Sequence, residues 1–135
     1  MTSPVLALRA AIRGACAPDA ALASLMDPAI HDETPRGNPP VYATFGTTEL
    51  RDASSSTERG HEQDIALDVW AKRGSAASAL AAADRLCALL DDAALAPAGH
   101  RLVSLAVTKL EAALDEESAA TRVTLHLRAV TEVLP

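Results

Sequence analysis

The segment from Ile65 to Asp92 constrains the fold most strongly, because the spacing of its apolar residues changes partway through. Residues Ile65–Ala71 alternate apolar and less apolar side chains, which is the two-residue period of a strand with one covered face. After an interruption at Lys72–Ser75, the apolar residues follow the period of a helix. The sequence therefore predicts a strand that leads through a short turn into a central helix, which covers the strand. The predicted helical stripe consists of Ala76, Ala79, Leu80, Ala83, Leu86, Cys87 and Leu90.

The remaining elements are predicted to lie around this strand and helix. Ser3-Pro4 is a typical helix start, with serine as the N-cap and proline at the first helical position, and Pro18-Asp19 begins a shorter helix. Alternating residues predict further strands, and Ile30-His31 could form a short edge strand. We expect an α+β fold in which an about four-stranded, mainly antiparallel sheet packs against the central helix, with one or more N-terminal helices. The predicted strands are Val41–Phe45, Glu62–Lys72, Val103–Val107 with an extension to Leu114, and Val123–Ala129.

Length and composition predict a single domain that spans residues 1–135. The chain is 49% hydrophobic but only 2% aromatic, so its core must consist of leucine, valine, isoleucine and many alanines. Because alanine buries little area, we expect an isolated subunit to be only modestly stable. This composition is a first indication that subunits stabilise one another.

Charge and cysteine content exclude several classes of function. The formal net charge is −6, and the twelve basic residues are scattered. Proteins that read nucleic-acid sequence usually concentrate their basic residues, so we expect no such binding. Cys16 and Cys87 lack metal-binding spacing and are expected to be buried, reduced thiols. The N-terminus lacks a basic region followed by an apolar run, and no segment is apolar enough to cross a membrane, which predicts synthesis and folding in a cytoplasm.

No pattern of residues predicts catalysis. His61-Glu62 begins like the zinc-protease motif His-Glu-x-x-His, but the last position is Ile65, and the segment is predicted to be a strand. His31-Asp32-Glu33 has ligand chemistry but no second cluster to complete a site. The sequence also lacks a phosphate-binding glycine-rich loop and a Gly-x-Ser-x-Gly elbow. We therefore expect no catalytic residue, no bound cofactor and no metal ligand.

Two features predict contact with other proteins. The polar stretch from Gly46 to Gly60 is predicted to form a long hairpin arm with its tip near Ser54–Thr57, the alternative being a disordered surface loop. Trp70 lies on the less apolar side of its strand, where it would either cover the start of the helix or anchor a subunit contact. From exposure and position, the predicted interface residues are Arg51, Asp52, Ser55, Thr57, Glu58, Arg59 and Trp70.

Several segments, taken in order, resemble a family of small tail-completion proteins of long-tailed bacteriophages, the tail terminators. The similarity covers nearly the whole chain and depends on the order of its segments. Phage-derived particles, including gene transfer agents, carry similar proteins. The segments that carry the resemblance are Leu8–Ala11, Asp19–Leu22, Ile30–Asp32, Pro40–Gly46, Arg51-Asp52, Gly60–Glu62, Leu67–Trp70, Leu89–Asp92, Gly99–Val103 and Val123–Ala129.

This resemblance implies a structural, non-enzymatic virion protein, assembled in the bacterial cytoplasm. Such proteins form rings, typically hexamers, at the head-proximal end of the tail tube. The implied partners are further copies of the chain, the tail tube protein and the head–tail connector or stopper protein. The ring stops tube growth and joins the tail to the connector, while DNA passes through the lumen without sequence-specific binding. An acidic chain with an alanine-rich helix and a polar arm is compatible with this role.

Two alternatives remain open from sequence alone. The first is a ferredoxin-like regulatory or small-ligand-binding module, which would form a dimer around a discrete pocket. The second is a small hydrolase that uses His31-Asp32 or His61-Glu62, although its sequence support is weaker.

Overall fold

The computed structural model describes residues 3–37, 39–72, 76–117 and 119–135, which form a layer of helices against one β-sheet. In chain order, the elements are α1 (Pro4–Cys16), α2 (Ala20–Ala23), β1 (Ile30–His31), β2 (Val41–Asp52), β3 (Gly60–Ala71), α3 (Ala76–Leu90), β4 (His100–Leu114) and β5 (Thr121–Val133).

The sheet has the strand order β1-β2-β3-β5-β4. The four long strands are antiparallel to their neighbours, whereas β1 pairs with β2 in parallel. The α+β class is therefore confirmed, but the described residues form a five-stranded mixed sheet where about four mainly antiparallel strands were expected. The added strand is β1, the short edge strand that Ile30-His31 could form, and its two residues are too few to show a period.

The strand and helix that dominate the sequence form the centre of the structure. Alternate residues of β3 are buried, and Leu67 and Val69 are fully inaccessible. The apolar side of α3 packs on this face, but the predicted stripe is wrong at Ala76 and at Leu80, which are both exposed, Leu80 to 39%. Ala82 is buried instead, so the contact stripe is rotated toward the smaller side chains. The predicted turn at Lys72–Ser75 lies mostly outside the described residues.

The first helix is capped as its sequence predicts. The Ser3 hydroxyl accepts a hydrogen bond from the Leu6 amide at 3.3 Å, and a proline follows at the first helical position. Leu8, Ile12 and Cys16 point into the core. The side-chain amide of Gln63 on β3 donates to the Pro4 carbonyl at 3.0 Å, which fixes the start of α1 to the sheet.

An ion pair joins the short second helix to α3. The Asp19 carboxylate accepts from the Leu22 amide at 2.8 Å and from two nitrogens of Arg85, at 2.8 and 2.7 Å. These hydrogen bonds, that from Arg85 first, lower the pKa of Asp19 from 3.8 to about 2. Asp19 is therefore both the N-cap of α2 and its link to α3.

We expect Asp19→Ala to make the free energy of unfolding less dependent on pH in the acidic range. Because the folded-state pKa is depressed, the stabilisation by Asp19 is present above pH 3.8 and is lost as the pH falls toward about 2. The free energy of unfolding of the wild type should therefore decrease more between pH 4 and 2 than that of the variant. Urea titrations across this range measure the difference, and Asp84→Ala, an exposed carboxylate on α3, is the control. Parallel pH profiles for the wild type and Asp19→Ala would contradict the assignment.

Candidate assembly surface

The sheet has one face covered by helices and one open face. Residues on the open face alternate with the buried ones, so Asp64, Ala66, Asp68 and Trp70 of β3 all lie on it. This face is concave, with a cavity of about 660 Å³ that extends across the four long strands. It is therefore a large, shaped and mostly polar surface, lined in part by Glu49, Asp64, Asp68, Lys109, Glu111, Arg122, Thr124 and His126.

At the arm end of the open face, one arginine is surrounded by carboxylates. The Arg51 guanidinium lies 2.8 Å from Glu62, 2.5 Å from Asp64 and 3.2 Å from Glu49. Glu62 also contacts Arg128 of β5 at 3.0 Å. The hydrogen bond from Arg51 is the main cause of the lowered pKa of Glu62. The cluster joins side chains of β2, β3 and β5 into one network.

At the other end of the open face, the contacts are smaller and more separate. Glu111 of β4 contacts Lys109 at 3.2 Å and His126 at 2.8 Å. The Thr124 hydroxyl donates to Asp68 at 2.6 Å. Basic and acidic side chains are therefore interspersed on this surface, and its described residues form no continuous positive patch of the kind that binds a nucleic-acid backbone.

Trp70 lies on this open face, at the end of β3 farthest from the arm. Its indole nitrogen donates to the Thr44 hydroxyl at 3.2 Å, and the Arg122 guanidinium lies 5.6 Å from the ring centroid. The expectation that Trp70 covers the start of α3 is therefore wrong, because the helix packs on the opposite face. Its role as a subunit anchor remains a prediction.

The predicted arm is present as the extended hairpin of β2 and β3. Residues 53–59 form its tip and are exposed. The Ser55 hydroxyl accepts from the amides of Thr57 and Glu58, and the Glu58 carbonyl accepts from the Ser55 amide at 2.8 Å. Asp52 accepts from Ser54 in the same way, which lowers the pKa of its carboxyl group. The tip is thus an ordered turn rather than an unstructured loop.

The base of the tip is fastened to the far side of the sheet. The Arg59 carbonyl accepts from the Val133 amide at 2.8 Å. Arg101 of β4 contacts both Glu132 and Glu58, the latter at 3.7 Å. A hydrogen bond to Glu132 raises the pKa of Glu58. Six of the seven predicted interface residues, Arg51 to Arg59, therefore lie together and exposed on the arm, while Trp70 is at the other end of the sheet.

The structure adds a second exposed segment that the sequence did not indicate. Every residue from Thr108 to Leu114, the distal half of β4, is exposed, although the segment reads Thr-Lys-Leu-Glu-Ala-Ala-Leu. Leu110 is 39% exposed and Leu114 64%. This half of the strand extends past the helical layer. In the sequence, Leu110, Ala112 and Leu114 fall at alternate positions, a pattern that predicts a covered face.

The middle of the same strand is blocked by the end of α3. The Asp91 carboxylate accepts from the Val107 amide at 2.9 Å, and the Asp92 amide donates to the Leu105 carbonyl at 2.9 Å. These bonds occupy backbone groups on the outer edge of β4 that another strand would need. Only the part of β4 beyond this corner is left open for pairing.

The described residues do not form a metal cluster, since no three histidine, cysteine, aspartate or glutamate side chains converge within them. His31 contacts Asp27 at 2.9 Å. Cys16 is buried, which raises its pKa to about 11, and Cys87 is half-buried. Among the described helices, none is both long and apolar enough to cross a bilayer.

Comparison with known proteins identifies the same architecture in virion components. Residues 10–132 match the family described as tail completion protein gp17. A chain in the solved structure titled "Virion of native gene transfer agent (GTA) particle" is 31% identical and superimposes with a TM-score of 0.88. That alignment covers 98% of this chain and 99% of the other. No curated protein shows significant similarity to this sequence.

Proposed function

Because this chain belongs to the tail completion protein gp17 family, we propose that it forms the ring that ends the tail tube. The chain is a virion protein with a structural role in the tail of a phage-like particle. In the proposed role, identical copies, six in number, close at the head-proximal end of the tube. The ring stops tube growth and presents a surface to the head–tail connector.

The observation that carries this proposal is the combination of family membership with two exposed strand segments at opposite edges of one sheet. A sheet with unpaired edges tends to pair with another chain. When the paired surfaces are different, as the outer edges of β2 and β4 are, the contact is heterologous and closes into a ring or continues into a filament. Of these two outcomes, only the closed ring would end a tube.

Passage of DNA through the ring is compatible with the open face. Three of its basic residues, Arg51, Lys109 and Arg128, already contact acidic neighbours. Ion pairs of this kind leave little free positive charge for phosphates, so DNA would slide past rather than bind. The formal net charge of −6 acts in the same direction.

Deletion of the gene tests the proposal directly. Without the protein, we expect tails of uncontrolled length and heads that fail to join them, measured as tail-length distributions and the fraction of joined particles in negative-stain images. Complementation with the wild-type gene is the control. Particles of normal length that remain joined in the deletion strain would contradict the proposed role.

A further inference from the structure

We propose that the distal half of β4 pairs, antiparallel and staggered, with the arm edge of β2 in the next copy. This inference rests on the proposed ring and specifies its contact. The two segments are Thr108–Leu114 and Glu49–Asp52, and all their residues are exposed. β1 pairs with β2 only at Ala43 and Thr44, so the arm part of that edge is left open.

The positions of the two segments fix the stagger between neighbours. Across the sheet, Glu111 is level with Asp68 of β3, whereas Arg51 is opposite Glu62, six residues away along that strand. At about 3.3 Å per residue, neighbouring copies would be offset by roughly 20 Å along the strands. The free segments therefore lie at diagonal corners of the sheet.

This offset is what a closed barrel requires. Four long strands at about 4.8 Å spacing span roughly 19 Å, so the offset corresponds to a strand tilt of roughly 45°, near the usual 35–45° for barrels. The tilt follows from one copy and does not depend on ring size. Six copies would give about 24 strands and a diameter on the order of 50 Å. The concave open face would line the interior, with the helices outside.

Side chains on the two segments complement each other in this register. With Glu111 opposite Arg51, Ala112 is opposite Leu50, which is 45% exposed. Leu50 would then lie over the small Ala112, between Leu110 and Leu114 on the same face. Opposite charges and matched apolar side chains across a strand pair both stabilise pairing. One contact would thus cover three of the exposed leucines.

Cysteine cross-linking tests the register. The variant Leu50→Cys/Ala112→Cys is made with Cys87→Ser, and Cys16 is left in place because it is buried. Directly opposite cysteines on antiparallel strands are within disulfide reach. On mild oxidation of assembled protein, we expect a ladder of covalent multimers up to the full ring. Each single-cysteine variant should remain uncross-linked, because the contact joins two different edges.

Two controls separate the alternatives. A ladder from His31→Cys/Glu111→Cys, two positions that are level across the sheet, would instead indicate unstaggered pairing with β1. A dimer from Ala112→Cys alone would indicate a symmetric β4–β4 contact, and either result would overturn the inference. Rings in native mass spectra without cross-links would also overturn it, while the proposed function would stand. A protein that stays monomeric, even with tail tubes present, would contradict both.

A charge substitution gives an independent measurement. Leu110→Glu should raise the protein concentration needed for half-maximal ring formation by at least about tenfold, because it places a carboxylate directly opposite Asp52 and beside Leu50. Val103→Glu is the matched control, since Val103 is 52% exposed on the same strand but lies outside the segment. Both variants should keep the wild-type thermal midpoint as monomers. Equal effects of the two substitutions on assembly would overturn the inference.

Discussion

Replacement of Leu67 by alanine is expected to lower the free energy of unfolding by about 2–5 kcal/mol. Leu67 is fully buried in the middle of β3, between Phe45 of β2 and Leu125 of β5. The truncation removes apolar area and leaves a cavity in a core whose neighbours include many alanines, which have no side-chain freedom to fill it. Because small domains are stable by only about 5–15 kcal/mol, much of the total would be lost.

Chemical denaturation of the monomer measures this effect, with Val103→Ala as the control. Val103 is half exposed, so its truncation should change the free energy of unfolding by less than about 0.5 kcal/mol. If Leu67→Ala cost no more than Val103→Ala, the centre of the core would have to lie elsewhere. In the proposed ring, association would stabilise both folded forms by mass action, so the same loss would be a smaller fraction of the total stability.

The sequence predicts the fold well where apolar residues keep one regular spacing over a long segment. β3 shows a buried residue at every second position, and α3 keeps its helical spacing from Ala79 to Leu90. β1 could not be assigned with the same certainty because two residues carry no period and its parallel pairing depends on a distant strand. The error at Leu80 has a similar origin, since a helix rich in alanine has an apolar side too broad to fix its rotation.

Of the two exposed segments that form the candidate assembly surface, the sequence predicts only the polar one. A polar run between two strands predicts an arm, and the structure confirms one at 53–59 with its turn ordered by Ser55. The open half of β4 could not be found this way. Its exposure follows from where α3 ends, since the Asp91–Asp92 corner covers the middle of the strand and leaves Thr108–Leu114 beyond the helical layer. The boundary between the covered and the exposed part of β4 is set by tertiary packing, which a local sequence pattern cannot predict.

The arm itself depends on a bulge at Gly46. β2 and β3 pair in register up to Phe45 and Leu67, and pairing resumes with Thr48 opposite Ile65, so Gly46 and Thr47 together oppose one residue. Such a bulge bends the strand and increases its twist, which re-aims the segment that follows. The arm edge of β2 begins directly after it. The direction in which the arm leaves the sheet is therefore set at this position.

Gly46→Ala is expected to destabilise the protein by about 1–3 kcal/mol and to weaken ring formation. A Cβ at this position would lie 2.7 Å from a carboxylate oxygen of Asp68 and 3.3 Å from the Cβ of Ala66. Asp68 cannot move away freely, because Thr124 donates to its other oxygen at 2.6 Å. The added methyl group must therefore displace either the carboxylate or the bulged backbone, and the second alters the aim of the arm.

A double-mutant cycle with Asp68→Ala separates these two outcomes. If the clash with the carboxylate is the cause, Gly46→Ala should cost much less in the Asp68→Ala background than in the wild type, with a coupling of about 1 kcal/mol or more. Gly14→Ala is the control of opposite sign: nothing lies within 4 Å of its added Cβ, and alanine in the interior of α1 should stabilise by about 0.5–1 kcal/mol. If Gly46→Ala lowers the free energy of unfolding equally in both backgrounds, the cause is strain in the backbone of the bulge. Ring formation by the double variant then separates lost stability from a changed arm direction. If the clash with Asp68 only lowers stability, removing the carboxylate should restore ring formation. If the arm is redirected, ring formation should stay impaired.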